Sequence, residues 1–218
     1  MPRILELFSG TGSIGRAFEE LGWVVISVDC DRNAEPTICM DVLDWKSEGW
    51  EVGDFDVIWA SPPCTQYSCD RTRGPPRDLA GADRLVMKTL EIIAFFEPRW
   101  WWVENPATGL LHTRPCVEEL GEPYLVSYCM YGFPYRKNTH LWSNNPHLTP
   151  RACHTIAHSS RTDSTQYRRS VAPTKASIGI SYLWALSTGY PRPCAPISRR
   201  PLRSCATRSI LCLLRPSL

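Results

Sequence analysis

Two side chains in this sequence have the type and the setting for covalent chemistry on a bound substrate. Cys64 closes the run Ala60-Ser61-Pro62-Pro63-Cys64, just beyond the apolar stretch DVIWA. Two prolines restrict that turn, so the thiol is held at the end of an expected strand with little conformational freedom. A thiolate there is a nucleophile if its surroundings lower its pKa, whereas a lone cysteine is otherwise most often a small buried hydrophobe. Glu104 follows Trp100, Trp101, Trp102 and Val103 and precedes Asn105 and Pro106. A carboxyl group after such an apolar run is expected to be partly desolvated, which raises its pKa and lets it hold a proton. The plain alternative is a solvated loop glutamate.

A third feature precedes both. Gly10-Thr11-Gly12-Ser13-Ile14-Gly15 follows the apolar run ILELF and opens a helix-like stretch. Glycines let the backbone pass close to a ligand, and a helix start offers free amides. Asp29 ends the next apolar run, VVISVD, where a carboxylate can accept hydrogen bonds from both hydroxyls of a ribose. Asp41, in CMDVLDW, stands where it can hold an adenine amino group. This loop with a downstream acid equally describes a dinucleotide site, so it points to a nucleoside-containing cofactor without choosing which.

These residues need elements to position them. Apolar runs ILELF, VVISVD, DVIWAS and WWWVEN alternate with the amphipathic stretches SIGRAFEELG and roughly Asp78 to Phe96. That alternation predicts an α/β fold with a mostly parallel central sheet and ligands at the carboxyl ends of its strands. YLVSYCMYG is expected to add another strand. The glycine loop, the rigid cysteine and the glutamate all then fall at carboxyl ends of strands.

In that combination the chain resembles the cytosine-C5 DNA methyltransferases. LELFSGTGSIGRAF is similar to the family's cofactor motif, DVIWASPPCTQYS to its catalytic loop, and VENP to a variant of its Glu-Asn-Val motif. SYCMYGFPYRKNTHLW resembles the segment that supplies basic residues to the target base. The likeness runs over about residues 3 to 145. It implies a Rossmann-like methyltransferase domain with an irregular C-terminal segment, using S-adenosylmethionine and expecting no metal. Cys64 would add to carbon 6 of cytosine and Glu104 would donate a proton or strong hydrogen bond to ring nitrogen 3, with Asn105 ordering the strand end. Phe8 would pack on the adenine, Asp29 and Asp41 would hold ribose and base, and Ser9, Gly10, Gly12, Val42 and Pro63 would complete the cofactor site. DNA is the implied substrate. The same chemistry on RNA, or an inactive cofactor- or nucleic-acid-binding remnant, are the alternatives.

The chain also departs from the family. The usual Gln-x-Arg-x-Arg after Gly-x-Pro is replaced, since Gly132-Phe133-Pro134 is followed by Tyr135-Arg136-Lys137-Asn138-Thr139. Lys137 and Thr139 take the two arginine positions, so Arg136 or Lys137 is left to contact the base oxygen. Only about thirty residues, from Asn144 to Lys175, stand where a target-recognition region is expected. Cys153, His154, His158 and His147 there lack a tidy ligand spacing for zinc. Arg151, Arg161, Arg168 and Arg169 could contact phosphates. The expected division is a catalytic domain over 1–145, a short basic segment over 146–175 and a poorly ordered tail over 176–218.

That tail, Ala176 to Leu218, contains no Asp, Glu, Lys, Asn, Gln or His, which no ordinary protein surface matches. Back-translation of Ser187 to Ser198, with codons begun at a third base, permits the peptide HRIPAPLCADI. This resembles the Ile-Pro-x-x-Leu-x-x-x-Ile signature of the family's closing helix, and it motivates a frameshift in the gene near residues 172–185.

Bulk properties agree with a soluble intracellular protein of cytoplasm or nucleus. The 218 residues are 43% hydrophobic and 21% charged, and no run approaches a membrane span. Ten cysteines without a CxxC pair suit free thiols in a reducing compartment. The net charge of +2 hides an asymmetry: residues 1–125 hold 11 Lys+Arg against 21 Asp+Glu, and residues 126–218 hold 13 against Asp163 alone. A basic half can follow a phosphate backbone. No protein partner is inferable.

Overall fold

A computed structural model of the chain describes residues 1–131, 133 and 135–153. The expected basic segment beyond Cys153 and the whole aberrant tail lie outside the described residues. Seven strands form one sheet in the order β3-β2-β1-β4-β5-β7-β6. They are β1 (Arg3–Leu7), β2 (Val24–Asp29), β3 (Ile38–Cys39), β4 (Val57–Ala60), β5 (Trp100–Pro106), β6 (Tyr124–Ser127) and β7 (Asn138–Ser143). The first five run parallel, and β7 and β6 add an antiparallel edge. The mostly parallel sheet expected from the alternating runs is therefore present.

Strand side chains alternate between faces, and two apolar clusters result. Leu5, Leu7, Ile58, Ala60 and Val103 pack on one face with Val86, Ile93 and Phe96 of α2 (Leu79–Phe96). Ile4, Val57, Trp59 and Trp102 pack on the other with Ala17 and Phe18 of α1 (Ser13–Glu19). α2 begins where Asp78 accepts a hydrogen bond from the Gly81 amide at 2.7 Å. It ends at Glu97, whose left-handed φ of 48° turns the chain ahead of Pro98. Among the described residues no helix is long and apolar enough to cross a membrane.

The topology places the site. From β1 the chain crosses by α1 to β2 on one side, and later strands β4 and β5 stack on the other side. The crevice at such a switch point, outside the carboxyl ends of β1 and β4, is where open α/β sheets bind ligands. The loops that leave those two ends carry Gly10 and Cys64.

The edge differs from the expectation. YLVSYCMYG is strand only through Ser127, and Tyr128–Tyr131 form a 3-10 turn. The turn starts because the Tyr128 amide donates to the Lys137 carbonyl at 3.0 Å, closing the β6–β7 hairpin. The unexpected strand β7, read as NTHLWS, inserts between β5 and β6. Its polar residues hide the alternation, yet Thr139, Leu141 and Trp142 are buried. Leu148 is also buried, and Ser127 receives the Cys153 amide on its hydroxyl at 2.9 Å, so the chain beyond β7 folds back on this edge.

Candidate active site

At the end of β1, Phe8, Gly10 and Gly12 all take left-handed φ values of 58°, 48° and 62°. For Phe8 that conformation is uncommon and strained, and such strain concentrates at functional turns. The Gly10 amide donates to one carboxylate oxygen of Asp29 at 2.8 Å, and the Asp31 amide donates to the other at 2.8 Å. Asp29 therefore ties the glycine loop to the end of β2. A Cβ built on Gly10 meets no atom within 4 Å, so the space above the loop is open. The Ser9 hydroxyl is buried there with no hydrogen-bond partner. Asp41 uses one oxygen to cap the Leu43 amide at 2.9 Å and remains exposed. Val42 is buried in the apolar core, so it has only main chain to offer a ligand. Pro63 is exposed.

The expected free amides at the start of α1 are only partly free. The Gly15 amide donates to the buried Glu6 carboxyl at 2.9 Å. Glu6 sits within strand β1 and is 3% exposed. Burial pushes its pKa to about 7, against the opposing pull of the Gly15 and Ile14 amides. No motif gives Glu6 a role, and its one signal in the sequence is that it is a lone acid inside the apolar run ILELF. Gly15 is glycine for the same reason, because a Cβ there would stand 2.6 Å from the Glu6 oxygen.

Cys64 is a half-buried free thiol just past the carboxyl end of β4. Its carbonyl accepts the amides of Tyr67 at 3.0 Å and Ser68 at 2.8 Å, which makes a tight turn. Asn105 lies 1% exposed in β5 and donates its side-chain amide to the Pro62 carbonyl at 3.0 Å. The strand end that carries Glu104 therefore grips the loop that carries Cys64. β4 and β5 are paired as far as Ala60 and Val103, so Glu104 stands one residue beyond that last pair.

Glu104 is buried, as expected, but it does not stand in an apolar pocket. The Lys137 ammonium lies 3.1 Å from its carboxylate, and the Tyr128 hydroxyl is 3.5 Å from the same oxygen. Lys137 also sits 4.8 Å from the centre of the Tyr128 ring. Burial alone would lower the pKa of Lys137, but the Glu104 carboxylate outweighs it and raises the value, so the ammonium persists. Burial and the same carboxylate push Tyr128 to about 12, so its hydroxyl keeps its proton. Of the two basic residues expected near the base, Lys137 turns into the site and Arg136 is exposed. Nothing in the sequence pointed to Tyr128. No group of three or more His, Cys, Asp or Glu able to hold a metal ion occurs among the described residues; His154 and His158 lie outside them.

A family model described as C-5 cytosine-specific DNA methylase matches residues 2–118. A protein of Frog virus 3 (isolate Goorha), named among the DNA (cytosine-5)-methyltransferases, is 34% identical over 173 residues, covering 69% of this chain and 74% of that one. The type II methyltransferase M.Bsp6I of Bacillus sp. (strain RFL6) is 33% identical over 116 residues, covering 48% of this chain and 36% of that one. Among solved structures, a protein described as a DNA modification methyltransferase of an E. coli prophage aligns with a TM-score of 0.50 at 18% identity, over 66% of this chain and 46% of that one. That last likeness is one of fold. With the motif order, the matched span and the viral relative in agreement, the chain belongs to the C-5 cytosine-specific DNA methylase family.

Proposed function

We propose that residues 1–145 form a catalytic domain that transfers a methyl group from S-adenosylmethionine to carbon 5 of cytosine in DNA, through a covalent bond to Cys64. The observation that carries this reading is the grip of Asn105 on the Pro62 carbonyl, which couples a thiol to a buried carboxyl at the ends of neighbouring strands.

The residues present fit the methyl donor. Gly10 leaves open space, the Ser9 hydroxyl lacks a partner, and each oxygen of Asp29 carries a backbone amide that orients it. Phe8, Ser9, Gly10, Gly12, Asp29, Asp41, the Val42 main chain and Pro63 would hold the nucleoside. When bound, S-adenosylmethionine supplies an electrophilic methyl group on its sulfonium.

The remaining chemistry belongs to this chain. Carbon 5 of cytosine is a poor nucleophile until a thiolate adds at carbon 6, and Cys64 provides that thiolate after its proton passes to solvent. Glu104 takes a proton from solvent as the base enters and donates it, or a strong hydrogen bond from it, to ring nitrogen 3, while the Lys137 ammonium beside it turns to the base carbonyl oxygen. Both act where negative charge develops during addition. After methyl transfer the carbon 5 proton passes to solvent, its electron pair forms the 5,6 double bond and expels Cys64 as a thiolate, and ring nitrogen 3 returns its proton to Glu104. In duplex DNA the cytosine must first leave the base stack.

The test is covalent trapping. With S-adenosylmethionine and DNA containing 5-fluorocytosine, the fluorine blocks proton loss and the enzyme stalls on the base. A denaturation-resistant adduct mapped to Cys64 by mass spectrometry, and missing in Cys64→Ser, is the expected result. An adduct with RNA alone would reassign the polymer, and none with either would point to an inactive remnant.

A further inference from the structure

We propose that Asp83 is a positioning residue that acts through Tyr67 to set the place of Cys64 relative to Glu104. This rests on the reading of Cys64 as the nucleophile. The Tyr67 ring is wholly buried, and its hydroxyl donates to Asp83 of α2 at 2.9 Å. Arg114 grips the same carboxylate with two nitrogens, at 3.1 and 2.6 Å, and the Cys116 thiol points to it at 3.6 Å. Fork-shaped Arg–carboxylate pairs fix orientation as well as distance. The main chain of Tyr67 is held too, since its amide donates to the Cys64 carbonyl and its carbonyl accepts the Leu110 amide at 3.0 Å.

The geometry exceeds what burying a tyrosine hydroxyl requires, because any single acceptor would satisfy it. The short segment from Pro62 to Tyr67, with the thiol inside it, is clamped at both ends. Asn105 holds its start, and Leu110 with the Arg114–Asp83 pair holds its finish. Every one of those grips except Asp83 comes from a single continuous stretch, 105–114, which begins directly after Glu104. Gly109 allows the approach, since a Cβ there would lie 3.2 Å from the Pro106 carbonyl and 3.5 Å from the Tyr67 carbonyl. Acid and nucleophile are thereby registered to each other through one piece of backbone, with Asp83 as its anchor on α2. Burial would raise the pKa of Asp83, but the hydrogen bonds from Arg114 and Tyr67 outweigh it and hold the carboxylate charged.

Tyr67→Phe removes only the hydroxyl, and Asp83→Asn removes the charge. The measurement is the single-turnover rate of adduct formation on 5-fluorocytosine DNA, with thermal stability and cofactor KM recorded beside it. Both variants should slow trapping by ~10–100-fold, as expected for a reacting group displaced by a fraction of an ångström to an ångström, with KM moving less than about threefold. Val86→Ala, a buried neighbour on α2 outside the clamp, serves as the stability control and should trap at the wild-type rate. Wild-type trapping rates in both folded variants would overturn the proposal, as would equal slowing in the control. If the wild-type chain traps no base at all, the reading of Cys64 has failed, and the clamp is then judged by hydrogen exchange. Tyr67→Phe should speed exchange of the Tyr67 and Ser68 amides by roughly tenfold through easier local opening, and unchanged exchange would overturn the clamp.

Discussion

The parallel body of the sheet, β3-β2-β1-β4-β5, and its antiparallel edge, β7-β6, contribute to the site in different ways. The body carries Gly10, Asp29, Cys64 and Glu104, each at or close to the carboxyl end of its own strand. The edge carries Lys137 and Tyr128, which reach Glu104 only because β7 pairs antiparallel with β5, with Asn105 opposite His140 and Pro106 opposite Thr139. The body is acidic. Among the described residues from 126 to 153 the edge has Arg136, Lys137 and Arg151 and no acid. Joining the two brings an ammonium to a buried carboxyl. A parallel sheet collects reactive groups by topology, whereas an appended hairpin adjusts their charge by register.

If the body supplies the acid, Glu104→Gln should produce the largest loss. A fall of ~10²–10³-fold in kcat is expected, comparable with removal of one donor from a charge-stabilising site, with cofactor KM unchanged. Steady-state methylation with tritiated cofactor measures it, and wild-type kcat would remove Glu104 from the acid role.

Glu6 tests the body at the level of stability. Its pKa climbs from 4.5 to about 7 on burial, so the folded state binds its proton more tightly than the unfolded chain does. Its contribution favours folding fully below about pH 4.5 and is lost as pH rises through about 7, a span of roughly 3 kcal/mol. Glu6→Gln keeps an acceptor for the Gly15 amide and removes the titration. Urea midpoints should show the variant gaining on the parent between pH 5 and pH 8, and parallel curves would rule the effect out.

The edge is tested by neighbours of opposite exposure. Lys137→Met should lower kcat by roughly 100-fold, the lower end of what the loss of one charge-stabilising donor costs. Arg136→Met, at an exposed position, should change kcat by less than about threefold and act mainly on the salt dependence of DNA binding. Equal effects from both would mean that the edge supplies general positive charge rather than one placed ammonium.

At Asp29 the expected effect falls on cofactor binding rather than on turnover. Asp29→Asn should raise the cofactor KM by ~10-fold, the loss of about one charge-assisted hydrogen bond, and leave the trapping rate at saturating cofactor nearly unchanged. Isothermal titration with S-adenosylhomocysteine gives an independent reading.

The amino-acid order alone revealed the α/β body, the glycine loop, the rigid Pro-Pro-Cys turn and the Glu-Asn strand end. These were legible because each is a local matter: an apolar run makes a buried strand, proline stiffens the turn after it, and glycine permits left-handed backbone. Asp78 and Glu97 bound α2 close to the expected limits for the same reason. What depended on contacts between distant segments was not legible. Strand β7 was hidden because Asn138, Thr139 and His140 look like a loop until they are paired on both sides. Lys137 and Arg136 are adjacent in sequence and equally basic, and only the folded β6–β7 hairpin, in which the Lys137 carbonyl accepts the Tyr128 amide, brings Lys137 to Glu104 and leaves Arg136 exposed. Glu6 likewise acquires its perturbed proton affinity from α1 packing above it. Chemistry that a residue carries in its own type and turn can be read along the chain; the charge environment that tunes it is created only when separate segments exclude water together.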